Sequence, residues 1–306
     1  VKSNSELTIS KTTKRKVLVK HAFSLMKSVL KFNDSFYIDV NDEGIPKHCG
    51  FGSSSSTIAA VASAINEIYG CPISNEDLIK YLASNHGEEI SDEDEDNLKM
   101  VQCIGGGATN GLTASGIIII AGQATTIAKM DYEGKIIIGL PNDFELQDAN
   151  YLMEKEEENL YKFKKTGEKY SQKIAYELLH KALPGIANGS LKELADIVFD
   201  YRFNMGSIDN CSFVYPKMVN QAKILRKLYE KNKCEFLALS SVGPAYFAIV
   251  KDDEQLEECK NVFEKLDMNI MISEVNNDMY IVNSIEDNIF WNKDETRKQF
   301  QNRNVS

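Results

Sequence analysis

An α+β protein in two parts is what this sequence predicts, on three observations. A strand, a glycine turn and an apolar helix follow one another between residues 36 and 70. A Lys- and Glu-rich stretch at 151–169 separates that region from the rest. Beyond it, residues 235–282 read as strand, Ser/Gly/Pro turn, strand, helix, strand, strand. The division falls at residue 150, giving parts 1–150 and 151–306, and a chain of 306 residues is long enough for both.

Each element has its own reason. A short strand is expected around Glu6–Ile9. Lys16 to Phe32 predicts a helix, because Val19, Ala22, Phe23, Met26 and Leu30 share one face. Phe36–Val40 is strand-like. Pro46–Gly70 then combines a turn carrying Gly50 and Gly52, four hydroxyls from Ser53 to Ser56, and a helix whose Ile58, Val61, Ala62 and Ile65 recur at helical spacing. Ser74–Asn85 predicts a second helix, opened by a Ser74/Asp77 capping box and stopped at Gly87. The acidic run 88–97 reads as a solvated loop.

A second glycine loop, Gly105 to Gly111, precedes residues 116–122, a buried strand by length and β-branching. Thr125–Lys129 and Lys135–Leu140 follow as strands, joined by a tight turn at Asp131–Gly134. Residues 151–169 are helical or linking. Helices are expected at Ser171–Ala182, Leu191–Phe203 and Lys217–Asn232, the last opened by Pro216. Strands Glu235–Leu239 and Tyr246–Val250, helix Glu254–Leu266, and strands Asn269–Val275 and Met279–Val282 then form a ferredoxin-like split βαβ unit. The tail after Asn288 is polar and expected to fray.

Composition narrows the function. The net charge is −10 and the basic residues form no stripe, which argues against nucleic acid as the main partner. The longest apolar run, Ile117–Ala121, is far too short to span a membrane, and no secretory signal is visible. Six scattered cysteines without a CxxC pair, and four histidines, argue against a zinc site or a disulfide framework. Reduced thiols in a cytoplasmic protein are expected, with Cys49 set apart by its place in the glycine turn beside His48.

The chemistry concentrates at the loop 50–56. A helix N-terminus leaves backbone N–H groups unpaired and carries partial positive charge, so it suits an anion such as phosphate. Gly50 and Gly52 permit close backbone approach, and Ser53, Ser54, Ser55 and Ser56 add hydroxyl donors. A Ser-rich loop without a ligand is the alternative. Between two apolar strands, Ser240, Ser241 and Gly243 form a second turn with Pro244.

On these residues the chain resembles the GHMP superfamily, which includes homoserine, mevalonate and galactose kinases. GFGSSSSTIAA at 50–60 is similar to its phosphate loop, and SSVGPAYFAIV at 240–250 to its C-terminal glycine motif. The resemblance implies an N-terminal domain of the ribosomal protein S5 domain 2-like type and a ferredoxin-like C-terminal domain. Within the superfamily the chain resembles the beta-ribofuranosylaminobenzene 5'-phosphate synthase branch, through His48 before the loop, the Gly106–Gly111 loop, and Ile270–Asn277. That branch joins phosphoribosyl pyrophosphate to a benzoate with loss of carbon dioxide and pyrophosphate. The alternatives are an ATP-dependent small-molecule kinase and a non-catalytic binding protein.

Several roles follow from the resemblance. Phosphates are assigned to Gly50, Gly52 and Ser53–Ser56, and Mg2+ to Ser54. His48 acts as hydrogen-bond or proton-transfer group. Gly106, Gly107, Thr109, Asn110, Ser240, Ser241 and Gly243 contact a phosphorylated small molecule or nucleotide. A homodimer is compatible with this reading. Lys47, Asp131 and Asp143 are further candidates without motif support, and the Arg that the superfamily carries near its phosphates on N-terminal strands has no evident counterpart.

Overall fold

The computed structural model describes residues 6–41, 49–89, 98–101, 103, 111–145 and 149–283. Two hydrophobic cores organise them, one built largely from residues 18–124 and the other from 130–268. The arrangement is α+β, as the sequence predicts.

The first core is helical. α1 (Lys16–Leu30) packs along α2 (Ser53–Ile68), with α3 (Asn75–Ser84) beside them. Leu18, Val19, Ala22 and Met26 of α1 are fully buried, and meet the Ile58, Ala62 and Ile65 face of α2. The aromatic rings of Phe23, Phe32, Phe36 and Tyr69 close one end, Tyr69 stacking on Phe32 at 5.2 Å. The Ser74 hydroxyl accepts the Asp77 N–H, so α3 begins where the capping pattern places it. Two short sheets flank these helices: β1 (Leu7–Ile9) parallel to β2 (Phe36–Ile38), and β3 (His86–Glu89) antiparallel to β4 (Leu98–Val101). β5 (Ile117–Ala121) pairs only with β6 (Thr125–Met130), antiparallel, with a bulge at Ile119/Ile120.

The second core covers a four-stranded antiparallel sheet. Its order is β10-β7-β9-β8, with β7 at Lys135–Pro141, β8 at Phe236–Leu239, β9 at Tyr246–Val250 and β10 at Met268–Glu274. Between β7 and β8 run α4 (Ala149–Glu177), a π-helical turn at Leu178–Ala182, and α5 (Leu183–Ala187). α6 (Lys192–Phe199), a second π turn, α7 (Ser207–Asn210) and α8 (Met218–Glu230) complete that crossover. α9 (Asp253–Lys265) crosses from β9 to β10, capped by the Asp252 side chain. α6, α8 and α9 pack on the sheet.

Several sequence expectations are corrected. Asp131–Gly134 joins no hairpin, because β7 leaves β6 and becomes an interior strand between β9 and β10. Ile137 is fully buried there, and burial of the apolar run outweighs local turn chemistry. Residues 117–121 are half-buried in a two-stranded ribbon, not enclosed. The expected break near 170 is continuous helix, α4 running to Glu177 before a π turn, and Gly167 does not interrupt it; the helix expected at Leu191–Phe203 is present, its last turn π-helical. Gly87 lies inside β3, where an added Cβ would sit 2.6 Å from Leu98. Glu88 and Glu89 belong to that strand, not to a solvated loop. The remainder of the acidic run, 90–97, and the tail after Asn288 lie outside the described residues.

Residues 279–282 form no strand, and Ile281 is 81% exposed. This segment instead ties the two cores together. The Asn277 side chain accepts from the N–H groups of Gly116 and Tyr132 and donates to the Tyr132 carbonyl, at 2.9, 3.0 and 3.1 Å. Tyr280 donates its N–H to the Gly111 carbonyl and its hydroxyl to Glu67 of α2. At about 1 kcal/mol net per hydrogen bond, Asn277→Ala is expected to lower stability by about 2–3 kcal/mol, measured as a shift in the urea midpoint.

Candidate active site

The loop before α2 is shaped by two residues with left-handed backbone, Gly50 at φ 86° and Gly52 at φ 64°. Gly52 is the N-cap of α2 and offers no side-chain oxygen to the helix end. Ser56 donates its N–H and its hydroxyl to the Gly52 carbonyl. The N–H groups of Ser53, Ser54 and Ser55 have no acceptor among the described residues. These three amides stand at the positive end of a 16-residue helix. Beside them opens a cleft of about 440 Å³, lined by the loop, by His86, Glu88, Val101 and Cys103, by Leu152, Met153 and Glu156 of α4, and by Ser241, Val242 and Gly243.

The opposite wall explains the loop's rigidity. The Ser240–Pro244 turn closes with Gly243 N–H on the Ser240 carbonyl, and the Ser240 hydroxyl donates to the Gly50 carbonyl at 2.9 Å. The backbones touch so closely that a Cβ on Gly50 would lie 2.4 Å from the Ser240 carbonyl oxygen. Ser241 and Gly243, both at positive φ, face the cleft. The two glycine motifs, 190 residues apart, therefore form one structure.

Charged side chains fix the serine hydroxyls. Arg15, at the N-cap of α1 and 4% exposed, donates to Ser53 Oγ at 3.0 Å and to Ser54 Oγ at 2.7 Å. Its Nε pairs with Glu89 at 2.8 Å, which offsets the cost of burying the guanidinium. Ser54 Oγ in turn donates to Glu88 Oε2 at 2.9 Å, and Glu88 Oε1 meets Nε2 of the buried His86 at 2.8 Å. Ser55 Oγ lies 3.9 Å from Cys103 Sγ.

The structure thus brings together Gly50, Gly52, Ser53, Ser54, Ser55, Ser241 and Gly243 around one cleft. Ser240 and Ser56 turn their hydroxyls to backbone carbonyls. His48, Lys47, Gly106, Gly107, Thr109 and Asn110 lie outside the described residues. Asp143 is engaged by Lys217 and Tyr215, and the Lys217 hydrogen bond leads in holding its carboxyl below the usual range. Neither it nor Asp131 lines the cleft. Sequence reasoning missed Arg15, Glu88, Glu89 and Glu156. Arg15 carries no local signal among Lys14 and Lys16, and Glu156 looks like any charge on a Lys/Glu-rich helix. Arg15, from the start of α1, is the arginine that the structure places against the serines of the loop.

Residues 17–94 match the GHMP kinases N terminal domain. Homoserine kinase from Cytophaga hutchinsonii is similar in structure, with TM-score 0.56 at 12% identity over 90% of this chain and 84% of that one. Mevalonate pyrophosphate decarboxylase from Streptococcus pyogenes gives 0.55 at 10% identity, over 91% and 82%. L. major mevalonate kinase in complex with R-mevalonate gives 0.53 at 14%, over 91% and 85%. No curated protein matches the chain in sequence. The fold is that of the GHMP kinases. Among the described residues no helix is long and apolar enough to cross a membrane.

Two outcomes follow from this geometry. Gly50→Ala combines a left-handed backbone with a backbone clash, and should weaken binding of inorganic tripolyphosphate at least about tenfold, read by calorimetry. Burial pushes the Cys49 thiol up to about 11, so its thiolate is scarce at neutral pH and becomes abundant only as pH approaches that value. Iodoacetamide at about pH 8 should therefore label exposed Cys71 well before buried Cys49, as mass spectrometry of digests would show.

Proposed function

We propose that this chain is a small-molecule phosphotransferase that binds ATP at the Ser53–Ser55 loop and transfers its terminal phosphoryl group to an alcohol in the same cleft. The observation that carries this reading is the set of three open helix-end amides facing a cleft, with Arg15 charge directly behind them. In the transfer, the alcohol oxygen forms a bond to the γ-phosphorus. The bond from that phosphorus to the bridging oxygen breaks, ADP leaves with the electron pair, and the hydroxyl proton passes to water or a carboxylate. Such chemistry asks the protein mainly for positioning and charge neutralisation. The loop's fixed dipoles and Arg15 supply both.

Mg2+ fits the oxygen chemistry of this corner. The Ser54 hydroxyl and the Glu88 carboxylate, 2.9 Å apart, are the residues that would hold it. No cluster of three or more acidic, His or Cys side chains able to hold a metal occurs among the described residues. That suits an ion which keeps its waters and binds through one carboxylate plus substrate phosphates. When bound, it would neutralise phosphate charge.

The phosphoribosyl pyrophosphate synthase reading uses the same loop for a leaving pyrophosphate. One motif behind it has another explanation here, because Asn277 joins Gly116 to Tyr132. The similar structures include a decarboxylase by name as well as kinases, so fold alone does not choose the reaction.

With Mg2+, millimolar ATP is expected to raise Tm by several degrees, and Gly52→Val to abolish the shift while leaving the unliganded melt cooperative. ADP production with an alcohol supports the kinase reading. Carbon dioxide release from phosphoribosyl pyrophosphate plus a hydroxy- or aminobenzoate would replace it with the synthase. Absence of a shift with either ligand would leave a binding protein of another kind.

A further inference from the structure

The cleft has two unlike ends. One is the phosphate loop. The other is the face of α4 that presents Leu152, Met153 and Glu156, whose spacing puts them on one side of the helix. Among the described residues, the titratable side chains lining the cleft are His86, Glu88, Cys103 and Glu156. His86 and Glu88 are bonded to each other, and Glu88 also to Ser54. Glu156 is different. It is exposed to the cleft, and no described residue gives it a hydrogen bond or an ion pair. Desolvation by the surrounding protein pushes its carboxyl above the usual range. No Lys or Arg is among the described residues that line the cleft.

This distribution discriminates between acceptors by charge. A hydroxy acid entering the cleft would bring a carboxylate toward Glu156 with no Lys or Arg among the described lining residues to receive it, and like charges in a partly desolvated cleft repel. A protonated amine would gain a charge-assisted hydrogen bond. Leu152 and Met153 offer apolar contact for a short carbon chain between the two ends.

Resting on the phosphotransferase reading above, we propose that Glu156 is a specificity-determining residue, and that the acceptor is an alcohol carrying a protonated amine, with the ammonium on Glu156 and the hydroxyl toward the Ser53–Ser55 loop.

A matched panel of four-carbon probes tests this: aminobutanol, butanediol and hydroxybutyrate, each with Mg2+ and ATP. ADP release gives kcat/KM, and calorimetry in the presence of ADP gives binding. Aminobutanol is expected to exceed hydroxybutyrate by at least about tenfold in both, with butanediol between them. Glu156→Gln should bring the three within about threefold of one another, chiefly through KM, and Glu156→Arg should reverse the order. Both variants lie on an exposed helix position, and unchanged melting curves would confirm that they fold. Equal or better use of hydroxybutyrate by the wild type would overturn the proposal. So would an unchanged preference in Glu156→Gln, or failure of all three probes to bind at millimolar concentration. If the ATP-induced Tm shift persists in those cases, only the acceptor assignment falls. If that shift is itself missing, the phosphotransferase reading falls with it.

Discussion

The contact between Ser240 and Gly50 is the constraint on which the site depends. Ser240 follows a strand of one core and Gly50 precedes a helix of the other, and their backbones meet with no space for a side chain at Gly50. The Gly50 carbonyl accepts the Ser240 hydroxyl, which pins the loop at the head of α2. The amides are left pointing at the cleft as a consequence of packing, before any ligand arrives. Preorganisation of this kind is what gives backbone donors their value, since no reorientation is needed at the moment of binding or reaction. Asn277 and Tyr280 hold the same two cores together at a second place, so the walls are fixed relative to each other at two separated points.

Burying Arg15 behind the loop is the second constraint. A guanidinium near a helix N-terminus is unfavourable by itself, because both carry positive charge. Glu89 neutralises it, and Glu88 closes the chain on the other side through Ser54 and His86. Every polar group in this chain serves as partner for the next. The hydroxyls of Ser53 and Ser54 are thus oriented by charge, not left to rotate, while their amides remain open. A run of four serines makes sense in these terms: Ser53 and Ser54 meet Arg15, Ser55 faces the cleft near Cys103, and Ser56 bonds back into the helix.

How much of this was legible in the sequence follows from whether a feature is local. α1, α2 and α3 announce themselves through apolar periodicity and the Ser74 cap, and the loop 50–56 through glycines placed before such a helix. The β8–β9 turn could be read for the same reason. What could not be read depends on distant partners. β7 looks like the second arm of a hairpin until the β9 and β10 strands, more than a hundred residues on, claim both its edges. Glu88 and Glu89 open an acidic run, and only the position of Arg15, some seventy residues earlier, separates them from solvated neighbours. Met279–Val282 has the composition of a strand but joins no sheet, and the segment around it is held by Asn277 and Tyr280 instead.

The same distinction bears on chemistry. The glycine/serine loop is local in sequence, and the fold is shared by proteins whose names describe different reactions, so neither chooses a reaction by itself. What separates one reaction from another must lie on the surface that faces the loop, and here that surface is α4. Its contribution to the cleft is two apolar side chains and one carboxylate, with no cation. A helix so rich in lysine could have placed one there; Lys155 instead bonds Glu158 on the outside, one position away from Glu156. The rotation of α4 about its axis, set by packing of Leu152 and Phe163 against the second core, therefore decides which of its side chains line the cleft.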